Sequence, residues 1–377
     1  MERHKMKRKV FIITERRADY SRFKPILELI SKDSELEYDL VVTGLHLKKE
    51  HGYTVNEIIS DGFEIFSKFE MFVEDKDTGG SMVRAYARAV EHVSYELEKS
   101  QPDLILSGFD IAANAAVTLA GAHMNIPVAH IQGGEVTGTI DESIRHSMSK
   151  FAHYHFVANE DARQRLIKMG ELPDRIFDVG CPSIDAILSI KENPQVVNKF
   201  NLSKPYFLVI QHPVTTEISE SENQIKITLN ALKKSNVRAL IILPNNDAGH
   251  SKIVKQIKES NIISIDTLSI DNYVNLLRNS SGLIGNSSSG IHETATFNIP
   301  TINIGSRQQG RLRPKNVIDV EHDESQILRA IGECLEIKSQ NIIYENPYGN
   351  GDSSIKIINL LKSIDISPNI VQKRITY

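Results

Sequence analysis

The chain has 377 residues, 40% of them hydrophobic, which exceeds the roughly 250–300 residues at which one core stops growing, so two domains are expected. A net charge of −4, with the 24% charged residues mixed in sign and no basic stripe interleaved with aromatics, argues against a generic nucleic-acid binder, and any phosphate ligand must be held locally. Cys181 and Cys334, far apart and without a Cys/His cluster, exclude a disulfide framework and a zinc site and fit a reducing cytoplasm.

From the N-terminus, the basic stretch Met1–Lys9 precedes only Val10-Phe11-Ile12-Ile13, too short for a signal sequence or a membrane span, so this run is read as the first strand. A helix over about Ser21–Ser31, a strand Tyr38–Val42 and strands Leu104–Leu106 and Val128–Ile131 follow, the βαβ alternation of a parallel sheet. The acidic, Gly-rich segment Glu70–Ser81 interrupts it and is expected to be an exposed loop before a helix of about Met82–Lys99. A polar stretch from Lys191 to Pro205 separates Ile190 from a new strand, Tyr206–Ile210, where the pattern restarts. The expected division is a first domain over 1–190, a second over 204–360 and a terminal segment, 361–377, packing back on the first. An internal echo supports two related halves: Asn125-Ile126-Pro127 and Asn298-Ile299-Pro300 each precede a strand and a glycine, and each follows a strand, a turn and an Ala-rich helix. Two doubly wound Rossmann-like domains place ligands at the carboxyl ends of their strands, so the cleft between them is the expected site.

The polar residues that follow these strands are the candidates for chemistry. Gly285-Asn286-Ser287-Ser288-Ser289-Gly290 turns from the strand Leu283-Ile284 into an expected helix, a cradle in which unpaired backbone N–H groups and serine hydroxyls suit phosphate; Glu293, one turn further, suits ribose hydroxyls. An ordinary Ser-rich helix cap has the same sequence. After the first strand, Arg17 is a candidate phosphate or base contact, with Asp19 or Ser21 as helix cap; His46 follows the second strand and is either a ligand contact or a surface residue. Gly133-Gly134 allows close backbone approach to a ligand, and Glu135 and Asp141 offer carboxylates for acid–base work, although Asp141 is equally placed to cap a helix. His212, before Pro213, can donate to a diphosphate or a leaving oxygen. Asn245, in Pro244-Asn245-Asn246-Asp247, and Arg307 lie in elaborate strand-end loops, where Arg307 can clamp phosphate or stack on a base.

Taken together, Arg17-Ala18-Asp19-Tyr20-Ser21, Gly133-Gly134-Glu135, Gly138-Thr139-Ile140-Asp141, Ser143-Ile144-Arg145-His146, Gln211-His212-Pro213-Val214-Thr215-Thr216, Pro244–Gly249, Gly285–Ser288 and Arg307-Gln308 resemble, in one order, the hydrolysing UDP-N-acetylglucosamine 2-epimerases. The likeness runs from about Lys7 to Ser363. It implies a GT-B-like α/β fold of two Rossmann-like domains and a homodimer or homotetramer. It also implies conversion of UDP-N-acetylglucosamine and water to N-acetylmannosamine and UDP through a 2-acetamidoglycal; no cofactor is expected, and no metal, since no Asp-x-Asp cluster stands out and Arg and backbone donors suit the charge of UDP. By motif position Arg17, Ser287, Ser288, Glu293 and Arg307 would hold UDP, and Asp141 and His212 would act at the sugar and the leaving oxygen.

Two departures from the family pattern bear on chemistry. Gly108 is followed by Phe109-Asp110-Ile111 instead of the usual Gly-Asp-Arg, so Asp110 is the expected substitute carboxylate, and Gln132 stands where Glu is common. An amide cannot abstract a proton, which shifts acid–base work to Asp110, Glu135 or Asp141. The same departures raise a second substrate, the 6-deoxy-4-acetamido analogue UDP-2,4-diacetamido-2,4,6-trideoxyglucose. A GT-B glycosyltransferase and a non-catalytic UDP-sugar binder are the competing functions.

Overall fold

The computed structural model describes residues 7–74, 76 and 78–376. Among these, two parallel sheets account for the strands. The first contains β1 (Arg8–Thr14), β2 (Leu36–Val42), β3 (Ser67–Lys68), β4 (Leu104–Gly108), β5 (Val128–Ile131), β6 (Tyr154–Val157) and β7 (Ile176–Asp178), in the order β3-β2-β1-β4-β5-β6-β7. The second contains β8 (Tyr206–Ile210), β9 (Arg238–Ile242), β10 (Ser264–Ile265), β11 (Gly282–Gly285), β12 (Thr301–Ile304) and β13 (Val317–Val320), in the order β10-β9-β8-β11-β12-β13. The winding reverses between β1 and β4 in one sheet and between β8 and β11 in the other, with Val10 opposite Leu104 and Ile210 opposite Gly285. These are the two Rossmann-like domains of a GT-B-like fold, and the strand-end crevices at the reversals are where such sheets take ligands.

The strands are apolar on both faces because helices cover both. In β1, Val10 and Ile12 enter one core with Tyr20, Phe23 and Leu27, while Phe11 and Ile13 enter the other with Ala85, Val93 and Val117. β8 divides in the same way, Phe207 and Val209 to one side, Leu208 and Ile210 to the other. The echoed Asn-Ile-Pro segments fold alike. Asn125 and Asn298 have φ of +57° and +55°, and the next amide in each, Ile126 or Ile299, bonds back to the Gly121 or Thr294 carbonyl at 2.9 and 3.0 Å. A left-handed Asn ends both preceding helical segments and turns the chain into the next strand.

The first helix begins earlier than the sequence suggested, at Arg17. The carboxylate of Asp19 accepts the backbone N–H groups of Glu15 at 2.9 Å and Arg16 at 2.8 Å. Ser21 is no cap; its hydroxyl donates to the Ala18 carbonyl at 3.0 Å within the helix. The long helix is Gly79–Ser100, opened by Thr78, which accepts from Ser81 N–H. Part of the acidic loop before it, Asp75 and Asp77, lies outside the described residues.

The chain returns to the first domain through the helix Ser353–Ser363, ahead of residue 361. Ile357, Ile358, Leu361, Ile364 and Ile370 join the core built by β1, β2 and the first helix. Asp185 accepts Ser353 and Ser354 N–H at its start, and Arg8 donates to the Leu361 and Ile364 carbonyls at its end. Beyond it, Lys373 reaches the buried carboxylate of Glu171 at 2.6 Å.

Candidate functional site

At the reversal of the second sheet, β8 runs into Gln211-His212 and β11 into Asn286-Ser287. Gly285, at φ +130°, brings the two strand ends together: a Cβ there would lie 2.0 Å from the Ile210 carbonyl oxygen. Asn286 then stitches them, accepting from His212 N–H at 2.7 Å and donating to the His212 carbonyl at 2.9 Å. The side chain of Asn286 is therefore spent on the scaffold and is not offered to a ligand. His212 Nδ1 accepts from Asn245 N–H at 3.3 Å, which leaves the hydrogen on Nε2. Burial holds the His212 imidazole down to about 3, with the nearby Arg307 acting in the same direction. At neutral pH it is an uncharged N–H donor.

The serine-rich turn is less helical than its sequence suggests. Only Ser289–His292 is α-helical, and a 3₁₀ turn, Thr294–Phe297, follows. The dipole of so short a helix is small, which leaves the turn's own donors and Arg307 as the groups available to an anion. Ser287 and Ser288 are half-buried on this turn. Ser289 donates to the Glu293 carboxylate at 2.6 Å, and burial raises that carboxyl above its ordinary value. Arg307 is held over the turn by its bond to the Asn286 carbonyl at 3.1 Å.

The opposing wall comes from the first sheet. After β4, Asp110 pairs with Arg145. Burial opposes its ionisation, but Arg145, Arg311, Arg22 and Arg307 together hold its pKa below the ordinary carboxylate value. Asp141 behaves oppositely. Burial first, then the charges of Asp110 and Asp247, push it up against the pull of Arg307. The helix Ile140–Phe151 that carries Asp141 and Arg145 is capped by Thr139, whose oxygen accepts from Asp141 N–H at 3.3 Å. Asp141 is thereby relieved of capping. Asp247 and Arg16, 3.6 Å apart across the domains, lie within electrostatic reach of His212.

Other expected residues take different places. His46 is fully buried, with Thr14 Oγ1 at 3.0 Å from one ring nitrogen and Thr54 Oγ1 at 2.6 Å from the other; it belongs to the core beside Tyr20. Arg17 holds Glu57 at 2.8 Å and reaches across the cleft to Thr267 Oγ1 at 2.5 Å and the Leu268 carbonyl at 2.6 Å. In this arrangement it fastens one domain to the other. Glu135 is enclosed by His292 at 3.2 Å and Arg311 at 3.7 Å. Despite its burial, the hydrogen bond with His292 and the guanidinium charges of Arg311 and Arg145 hold it far below the carboxylate range. Glu135 is thus an anion paired with residues of the second domain. Gln132, at φ +60°, accepts from Arg22 at 3.1 Å and donates to Glu135 at 3.3 Å. An amide fits where a second carboxylate would face Glu135. The glycines answer to packing as well. A Cβ on Gly134 would lie 2.4 Å from the Ala162 carbonyl oxygen, and one on Gly133 2.9 Å from Ser149 Oγ.

Reading the sequence alone left Arg22, Arg145, Arg311, His292 and Asp247 without roles. Arg145 falls in the quoted Ser-Ile-Arg-His motif, four residues after Asp141, and that one-turn spacing was the available signal. Among the described residues, no group of three or more His, Cys, Asp and Glu is arranged to hold a metal ion, and no helix is long and apolar enough to cross a membrane. A larger cavity of about 290 Å³ between the domains, lined by Leu45, Phe72, Met82, Asn246 and His250 among others, contains neither Asp110 nor Asp141.

Residues 28–362 match the family described as UDP-N-acetylglucosamine 2-epimerase. The chain belongs to that family. It is 36% identical over 98% of its length to the hydrolysing UDP-N,N'-diacetylbacillosamine 2-epimerase of Legionella pneumophila, covering 99% of that protein. It is 30% identical to the UDP-N-acetylglucosamine 2-epimerase of Neisseria meningitidis serogroup B, covering 88% of each chain. The fold matches the crystal structure of a Neisseria meningitidis UDP-GlcNAc 2-epimerase bound to UDP-GlcNAc, with TM-score 0.79 and 19% identity over 94% of this chain and 99% of that one. It also matches a Methanocaldococcus jannaschii family structure in complex with UDP-GlcNAc and UDP, with TM-score 0.80 and 17% identity over 94% of this chain and 99% of that one.

Proposed function

We propose that this family member is a hydrolysing 2-epimerase acting on UDP-N,N'-diacetylbacillosamine, that is, UDP-2,4-diacetamido-2,4,6-trideoxyglucose. The observation that carries the chemistry is the pair Asp110 and Asp141, whose proton affinities are driven in opposite directions, with Arg307 acting on both and also on the neutral His212 N–H donor. Two buried carboxyl groups, one kept ionised by guanidinium groups and one with raised proton affinity, supply the acid–base groups for removal of the C2 hydrogen from one face and its return on the other. The C2–H electrons become the C1=C2 double bond as the C1–O bond breaks and its pair leaves with UDP. His212 Nε2–H donates to that departing oxygen, while Arg307, Ser287 and Ser288 bear the diphosphate. Water then adds its oxygen to C1 as C2 is protonated on the opposite face, releasing 2,4-diacetamido-2,4,6-trideoxymannose. In this reading Glu293 binds the ribose.

The sugar assignment follows the near end-to-end match to the Legionella enzyme and departs from the UDP-N-acetylglucosamine expected from the sequence. The test is to incubate the protein with each UDP sugar in heavy water without acceptor, following UDP release and deuterium at C2. Faster turnover of the diacetamido sugar, with both signals, is expected. Faster turnover of UDP-N-acetylglucosamine would return the assignment to that substrate. Retention of UDP on the epimerised sugar would remove the hydrolytic step, and UDP release only with an acceptor, without C2 label, would make the protein a transferase.

A further inference from the structure

The residue before Asp110 has an unusual backbone. Phe109 sits at φ +70°, in the left-handed region that is unfavourable for a bulky L-residue, with its ring buried against Phe23 and under Arg22. Two bonds hold it there. Its N–H donates to the Ile131 carbonyl at 3.0 Å, and its carbonyl lies 3.0 Å from His130 Nε2. A carbonyl only accepts, so Nε2 carries the hydrogen. The fully buried imidazole is held neutral, near 3, and its Nδ1, an acceptor 3.3 Å from Ser149 Oγ, shares the single hydroxyl hydrogen with the Arg145 carbonyl at 3.1 Å.

Ser149 is on the helix that carries Asp141, one turn after Arg145, whose carbonyl is 3.1 Å from the same hydroxyl. One ring thus links the turn bearing Asp110 to the helix bearing Asp141 and Arg145. Gly133 makes the link sterically feasible, since a Cβ there would lie 2.9 Å from Ser149 Oγ and 3.1 Å from His130 Nδ1.

We propose that His130 is a positioning residue of the reaction: its Nε2–H, backed by Ser149, fixes Phe109 in the left-handed conformation and so sets Asp110 against Arg145 and Asp141. The inference rests on the roles proposed above for those two carboxylates. His130 touches no reacting atom; it acts through the backbone. Angstrom-scale misplacement of a reacting group costs on the order of 10²-fold in rate, which sets the size of the effect.

The experiment compares His130→Leu, His130→Gln and Ser149→Ala in the full chain. Leucine fills the space without a donor, whereas the glutamine amide places a donor near the position of Nε2. His130→Leu is expected to lower kcat by about 30–100-fold while the Kd for UDP, held mainly by the second domain, stays within about twofold. His130→Gln should recover most of that loss. The kcat–pH profile should shift in His130→Leu, because the spacing of Asp110 and Asp141 sets it, and return to the wild-type profile in His130→Gln. Ser149→Ala leaves the ring in place but unanchored on one side, and is expected to lower kcat about 3–10-fold on the same order-of-magnitude scale.

Wild-type turnover in His130→Leu, equal impairment in the Gln and Leu variants, or loss of UDP affinity in step with kcat would overturn the inference. If His130→Leu does not fold, a Ser149→Ala protein with wild-type kcat and pH profile overturns it instead. Absence of UDP release by the wild-type protein from either sugar overturns the proposed reaction itself, and that result is read before any variant is compared.

Discussion

Asp110 and Asp141 occupy one field of arginines yet are driven apart. Burial raises both, but Asp110 is answered by four guanidinium groups, whereas Asp141 faces the anions Asp110 and Asp247 with Arg307 as its compensation. Asp141→Asn keeps the shape and removes the exchangeable proton. It is expected to reduce kcat by about 10²–10⁴-fold and leave UDP affinity within about twofold, by steady-state kinetics and calorimetry; parallel loss of UDP affinity would make Asp141 a binding residue. Glu135→Gln should behave differently, because it strips the partner from buried His292 and Arg311. Its main effect is expected on stability, about 3–5 kcal/mol for breaking a buried pair from one side, read by urea unfolding. The sequence displayed Glu135 and Asp141 as near neighbours in one carboxylate-rich segment. What separates their roles is His292 and Arg311, contributed by the second domain, and no local pattern announces them. His46 misled for the same reason: its threonine partners come from β1 and from the segment leading into the helix Val55–Ser60.

Strands were the legible elements, because runs buried on both faces must be continuously apolar and short. Helix starts were less so. Asp19 and Thr139 decide where two of them begin by accepting backbone N–H groups, while Ser21 and Asp141 are comparably suited by type. The Gly290–Phe297 segment, read as one helix after a Gly285–Ser289 turn, is a short α turn from Ser289 followed by a 3₁₀ turn, a difference of hydrogen-bond register that composition does not encode. The helix Ser353–Ser363 presents a further ambiguity, since its apolar stripe suits a helix packing on either domain, hydrophobic attraction having no direction of its own. Only the partners settle it, and Ile357 and Leu361 are fully buried in the first-domain core. Leu361→Ala is expected to cost about 2–5 kcal/mol in urea unfolding followed by first-domain probes. A loss confined to second-domain probes would contradict this packing.

Across the whole molecule, stability should depend steeply on pH because several histidines are buried uncharged. Burial holds His46, His130 and His212 down to about 3, and His153 and His292 to about 4, against about 6.5 in an unfolded chain. Below about pH 6.5 the unfolded chain therefore binds more protons at these sites. Stability falls with pH by up to about 1.4 kcal/mol per unit for each. Asp19 acts in the opposite sense: burial raises it to about 6, so it takes up a proton in the folded chain first and offsets one histidine. Urea midpoints should drop between pH 7 and pH 5, and a flat profile would contradict neutral burial. The cleft itself depends on a closer contact. Gly138 N–H donates to the Arg307 carbonyl at 3.0 Å, and a Cβ on Gly138 would stand 2.0 Å from the Ser306 carbonyl oxygen. That neighbour is backbone and cannot swing aside, so Gly138→Ala must move the Ser306-Arg307 loop away from the first domain, taking the arginine of the proposed diphosphate site with it. A fall in kcat/KM of about 10–100-fold with a nearly unchanged unfolding midpoint is expected. Gly332→Ala is the matched control: it lies in the helix Glu324–Ser339, and its Cβ would meet nothing within 4 Å. It should add about 0.5–1 kcal/mol of stability and leave turnover unchanged. Wild-type turnover in Gly138→Ala would show that the reacting complex does not need the domains in this contact.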